Sequence, residues 1–147
     1  MHRVLNSLKS PILARVVSFF MGLASLSYLA IWLRMLGLIP ASFYNHFMQA
    51  QAHYLGLQSL SFQAAFIAFA SLEFVGAVFL WKREPPATLL FIAAFCCSSY
   101  EKFAYRDFAL VNSTHKFYLA LTDVILNVLL CAYAWWATSK QNQAESI

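Results

Sequence analysis

Charge is what this sequence has least of. Only 11% of its 147 residues are Asp, Glu, Lys or Arg, whereas 61% are hydrophobic and the mean hydropathy is +0.62. Soluble domains carry about 25% charged and 45–50% apolar residues. A chain this short leaves a large fraction of its surface exposed and cannot hide that much apolar area inside itself. The composition therefore excludes an ordinary water-soluble domain and makes lipid the natural solvent. Glycine and proline are scarce, with four of each, which excludes a low-complexity linker, and no internal repeat is visible. Cysteine is limited to Cys96, Cys97 and Cys131. The number is odd, no CxxC or Cys/His ligand spacing occurs, and all three lie in apolar segments, which argues against a disulfide scaffold or a structural zinc site. A Gly-rich phosphate loop, a GxSxG elbow and HExxH are missing too. No motif names a reaction.

What charge there is sums to +4, with a pI of about 9.1. On a soluble protein that balance would suggest nucleic acid. Here the cations gather at the ends of apolar segments, where membrane proteins use them to set orientation, so no nucleic-acid partner is expected.

A membrane-spanning helix needs about 20 mostly apolar residues. Four stretches qualify as spans, at 12–33, 60–81, 86–105 and 117–137, within a single membrane domain over 1–147. The third turns polar at Ser98. Basic residues before the first run raise the question of a cleaved signal peptide, but the run is longer than a usual h-region and the expectation is a retained helix. Trp32, Trp81, Trp135 and Trp136 fall at span ends, with Tyr100, Tyr105, Tyr118 and Tyr133 near them. That is the pattern of an aromatic belt at the headgroups.

Between the first two spans lies PASFYNHFMQAQAHYLGLQ, residues 40–58, too polar to span and too apolar for a free loop. Pro40 and Ser42 suit a helix start, and Phe43, Phe47, Ala50 and Tyr54 share one helical face. A short interfacial helix is predicted. The fold class is thus an all-α integral membrane four-helix bundle with this helix between spans one and two. With the N-terminus inside, Arg3, Lys9, Arg15, Lys82, Arg83 and Lys140 face the cytoplasm, against Arg34, Lys102, Arg106 and Lys116 outside. The bias predicts both termini in the cytoplasm, the membrane being the bacterial inner membrane.

The second span contains Glu73. At 3.6 residues per turn Phe66, Ala70, Gly76, Ala77 and Leu80 share its face, and small residues there let another helix approach. An ionised carboxylate at that depth costs about 3 kcal/mol or more, so Glu73 must face the bundle and be neutral or paired. The fourth span offers Asp123, Asn127, Cys131 and Ala134 as a stripe. From the outer end, Glu73 lies about 18 Å deep, Asn127 about 15 Å and Asp123 about 9 Å. This matches Glu73 with Asn127, and Asp123 with the outer-end groups Arg34, Lys102 and His115. The first span adds Ser18, Gly22 and Ser25, and the third Ala94, Cys97, Ser98 and Glu101.

Glu73 and Asp123 are the candidate catalytic residues. His46, His53 and Asn127 are the cofactor-binding candidates, although an i,i+7 histidine pair is too far apart for two ligands on one helix, and no metal is expected. For every one of these groups the plain alternative is interhelical hydrogen bonding and close packing. Adjacent Cys96 and Cys97 point to different helix faces and read as packing residues.

The string SLEFVGAVFLWKREPPATLLFIAAF, preceded by basic residues and LARVVSFFMGLASL, resembles the DoxX-like family of small four-helix membrane proteins. Glu73 and Gly76, three apart and followed by a basic turn, carry the resemblance, which covers about the first two-thirds of the chain. Where family members often have a Lys after the first span, this chain reads YLAIWLRML, with Arg34. The family includes a thiosulfate:quinone oxidoreductase subunit, partners in thiol-redox complexes and a receptor-assembly chaperone, so the resemblance implies a fold more than a reaction. The expected role is an accessory or assembly subunit of a membrane complex, with lipid and other membrane subunits or itself as partners and no cofactor. One alternative is a quinone- or thiol-linked oxidoreductase subunit, with quinone as the implied cofactor. The other is a small transporter.

Overall fold

The structure, a computed structural model, describes residues 11–40, 46–104 and 114–139, with the side chains at 47, 101–104 and 114–120 left aside. Among the described residues it is all helical. The elements are α1 (Pro11–Met35), α2 (His46–Gly56), α3 (Leu60–Trp81), α4 (Pro86–Ala104) and α5 (Thr114–Thr138). Three of these are long and apolar enough to cross a membrane: Pro11–Met35, Leu60–Trp81 and Leu121–Thr138. In α4 the apolar stretch Pro86–Tyr100 is shorter. Large apolar side chains such as Phe20, Leu60, Leu89 and Leu129 stand outward. That much outward apolar surface belongs against lipid, and the chain is an integral membrane protein.

In space α3 packs between α1 and α4, α4 carries α5, and α2 lies on α1. Contact between α3 and α5 is slight. Two clusters hold the bundle. At the end near the α3–α4 turn, Ala77 and Leu80 of α3 meet Ala87 and Phe91 of α4 and Ala134 and Ala137 of α5, with Val17 and Met21 of α1 alongside. The small side chains bring the helices close. A Cβ added at Gly76 would stand 3.3 Å from Leu90 Cβ and 3.3 Å from Phe91 Cε1, so only glycine fits there without a shift. At the other end, Ile31 of α1, Ala52 and Leu55 of α2 and Phe62 of α3 form the second cluster.

The helix ends are chemically explicit. After α1, Leu38 N–H bonds to Leu33 O (3.0 Å) and Gly37 N–H to Arg34 O (2.9 Å), with Gly37 at φ +75°. That is the Schellman pattern with glycine in the left-handed position. After α3 the same pair recurs, Glu84 to Phe79 O and Arg83 to Leu80 O, both 2.9 Å, but the left-handed residue is Arg83 at φ +59°. Ser59 caps α3 by accepting from Phe62 N–H. Gln63 donates to Leu55 O and Gln58 O, which ties the carbonyls at the end of α2 to the start of α3.

Packing defines two faces. The inward side of α2 is Ala52 and Leu55 with Met48, against Tyr28, Trp32 and Met35, while Ala50 and Tyr54 are exposed. The helix has apolar residues on two faces, and the aliphatic one fits the groove beside α1. Tyr133 was placed in the aromatic belt, yet its hydroxyl is buried because its ring packs against the α3–α4–α5 cluster. Trp81 and Trp135 do stand outward. Expectations that concern Arg3, Lys9, Ser42, Phe43, Asn45, Tyr105, Arg106 and Lys140, and the side chains of Phe47, Glu101, Lys102, His115, Lys116 and Tyr118, lie outside the described residues.

Candidate functional site

The site is assembled by α1 and α3. On α3 the residues Ala70, Glu73, Gly76, Ala77 and Leu80 are buried, the face that the 3.6 period assigned inward. On α1 the buried set includes Ser18 and Ser25. Glu73 is 5% exposed, and its Oε2 lies within hydrogen-bond distance of Ser25 Oγ, at 2.9 Å. Eight residues, or about 12 Å of helix rise, separate Glu73 from Trp81, so the carboxyl sits near the midplane of a hydrocarbon layer about 30 Å thick.

Ser25 Oγ also lies 2.7 Å from Met21 O, one turn back on its own helix. A hydroxyl has one proton to give. Both contacts are met together when the carboxyl of Glu73 carries a proton and donates to Ser25 Oγ, which then donates to Met21 O. With an ionised carboxylate, one of the two contacts must go. The geometry is thus a hydrogen-bonded link from α3 to the backbone of α1.

The expected pairing of Glu73 with Asn127 does not form. Asn127 Nδ2 donates to Asp123 O on its own helix at 2.9 Å. Equal depth on spans two and four does not make them neighbours: here, as α3 and α5, they touch only slightly, and α4 contacts both. Asp123, Asn127 and Cys131 are half-buried along α5, away from the α1–α3 seam. Arg34, expected at about the depth of Asp123, donates from Nη1 to Ile39 O at 2.8 Å and closes the turn after α1. His46 and His53 are exposed on α2 and are not brought to Glu73. Cys96, Cys97 and Cys131 are not joined in disulfides.

Several other polar groups in the spans are turned onto the backbone. Ser18 donates to Ala14 O, Ser27 to Leu23 O and Thr138 to Ala134 O, the i−4 bonding that lets hydroxyls sit in apolar helices. Two contacts cross between elements near the α3–α4 turn: Arg83 Nε to Ala137 O, and Thr88 with Thr138. Sequence reading missed Ser25 as the partner of Glu73. The signal was present in its small-residue stripe with Ser18 and Gly22, for which interhelical hydrogen bonding was one expectation, without Glu73 as the partner.

Comparison of the chain with family models, with curated proteins and with solved structures finds no match.

Proposed function

We propose that this chain is a four-span accessory or assembly subunit of a bacterial inner-membrane complex, DoxX-like in plan, with both termini in the cytoplasm. The observation that carries the role is the end point of Glu73. The one buried acid among the described residues meets a hydroxyl of a neighbouring helix rather than a second titratable group. A carboxyl used in this way fastens two helices.

The fourth span is supported by the connections around α4. Arg83 on Ala137 O and Thr88 beside Thr138 bring the end of α3, the start of α4 and the end of α5 together. If α3 and α5 both cross the bilayer, α4 must cross back between them. Its 19 residues give about 28 Å of rise, close to the hydrocarbon thickness.

The test is purification of the full chain in mild detergent, with subunit stoichiometry and bound quinone measured on wild type and Glu73→Gln. The expected result is a stoichiometric second membrane subunit, lost from the membrane when this chain is deleted and retained with Glu73→Gln. One quinone per chain, with turnover abolished in a folded Glu73→Gln protein, would replace this reading with the oxidoreductase alternative.

A further inference from the structure

An apolar groove of about 380 Å³ runs between α1 and α3. Leu26 and Phe74 mark one end of its lining and Trp81 and Lys82 the other, so it covers about two turns of each helix, roughly 12 Å. Half of a hydrocarbon layer is about 15 Å. The groove is therefore one leaflet deep and begins at the α3–α4 turn. It exists because Gly22 and Ala77 carry so little between the helices; even a Cβ at Gly22 would meet Ala77 Cβ at 3.8 Å.

The mouth is cationic. Lys82 is exposed there, and the exposed Arg15 holds its guanidinium over the Trp81 ring, 5.9 Å from the centroid. Arg83 of the same turn is directed to Ala137 O, and Glu84 is half-buried. A tryptophan at the interface, two cations beside it and an apolar slot one leaflet deep fit a single chemistry. We propose that the groove between α1 and α3 binds one anionic phospholipid, an acyl chain in the slot and the phosphate at Arg15 and Lys82. Basic pockets between spanning helices hold anionic headgroups in this way.

The experiment uses the full chain in mild detergent with equimolar phosphatidylglycerol and phosphatidylcholine, retained lipid being read by native mass spectrometry. One phosphatidylglycerol should be retained at least fivefold over phosphatidylcholine. Arg15→Gln and Lys82→Gln should each lower that preference about fivefold, the effect of one surface cation on an anionic lipid. Gly22→Leu should reduce retention of both lipids by filling the slot. Because Arg15 and Lys82 are exposed, their variants keep the test decisive should Gly22→Leu fail to fold. Equal retention of the two lipids by wild type would overturn the proposal. So would unchanged preference in both charge variants, undiminished retention in a folded Gly22→Leu protein, or a dimer that holds no lipid.

Discussion

The turns after α1 and after α3 close with the same two backbone hydrogen bonds, yet one places glycine at the left-handed position and the other arginine. A non-glycine residue there costs about 1–2 kcal/mol. The turn after α1 avoids that cost: Gly37 has nothing within 4 Å of where a Cβ would stand, so glycine is present for conformation alone. The turn after α3 accepts it and gains a side chain whose Nε reaches Ala137 O, 54 residues along. A cation at the carbonyl end of α5 is favoured by the helix dipole. The turn after α1 only redirects the chain, whereas the turn after α3 links α3, α4 and α5.

The largest way to break the comparison is to part the helices that the turn after α3 joins. Gly76 touches Leu90 and Phe91, and Phe91 is only 2% exposed, so Gly76→Leu has no room. Overpacking of this kind costs about 1–3 kcal/mol, and we expect the upper end, read as a lowered Tm in detergent. Disulfide trapping between α1 and α2, at the opposite end, should be unaffected. A Gly76→Leu protein as stable as wild type would mean that α3 and α4 do not lie in contact at this level.

Next in size is Gly37→Ala. With open space around it, only the backbone conformation matters, and the expected loss is about 1 kcal/mol. Hydrogen exchange should place that loss in the end of α1 and in α2, leaving the α3–α4 turn protected.

Much of this arrangement was legible beforehand. Hydropathy and the flanking prolines placed the spans within a few residues of the helices: 60–81 coincides with Leu60–Trp81, and 117–137 falls within Thr114–Thr138. The inward face of α3 followed from period and residue size alone, because Ala70, Gly76 and Ala77 admit a neighbour where bulky residues cannot. Helix order in space was not legible. Depth along a helix follows from residue counting, but which helices adjoin depends on how four faces of similar small residues pair, and all four stripes looked alike. That is why Glu73 was matched to Asn127 by depth, while Ser25 lay across the true seam. On α2 two apolar stripes satisfy the same period, and packing turns Ala52 and Leu55 inward while Ala50 and Tyr54 stay exposed.

The seam itself has a smaller effect. Ser25→Ala, Glu73→Gln and the double variant form a cycle in which the coupling should be about 0.6 kcal/mol, the average for hydrogen bonds between membrane helices, with a ceiling near 1.7. Thermal unfolding in detergent reads it. Coupling near zero would mean that the two side chains do not meet in the membrane, and the structural role assigned to Glu73 would lose its support.

The smallest expected effect is the most informative about the two turns. Arg83→Gly removes a strained φ, a gain of about 1 kcal/mol, and removes the guanidinium contact, a loss of about 0.5–1.5 kcal/mol for one hydrogen bond. At 3.4 Å the contact is long, which favours the lower part of that range. The two terms nearly cancel, and Tm should hardly move. Arg83→Ala keeps the strain and loses the contact, so it should fall below Arg83→Gly by about 1 kcal/mol. That difference measures the backbone term alone, since neither variant has a side chain that can reach α5. If alanine and glycine are equally stable, residue 83 is not left-handed in the folded protein. If both are far less stable than wild type, the link to Ala137 outweighs the cost of placing an arginine where the other turn has glycine.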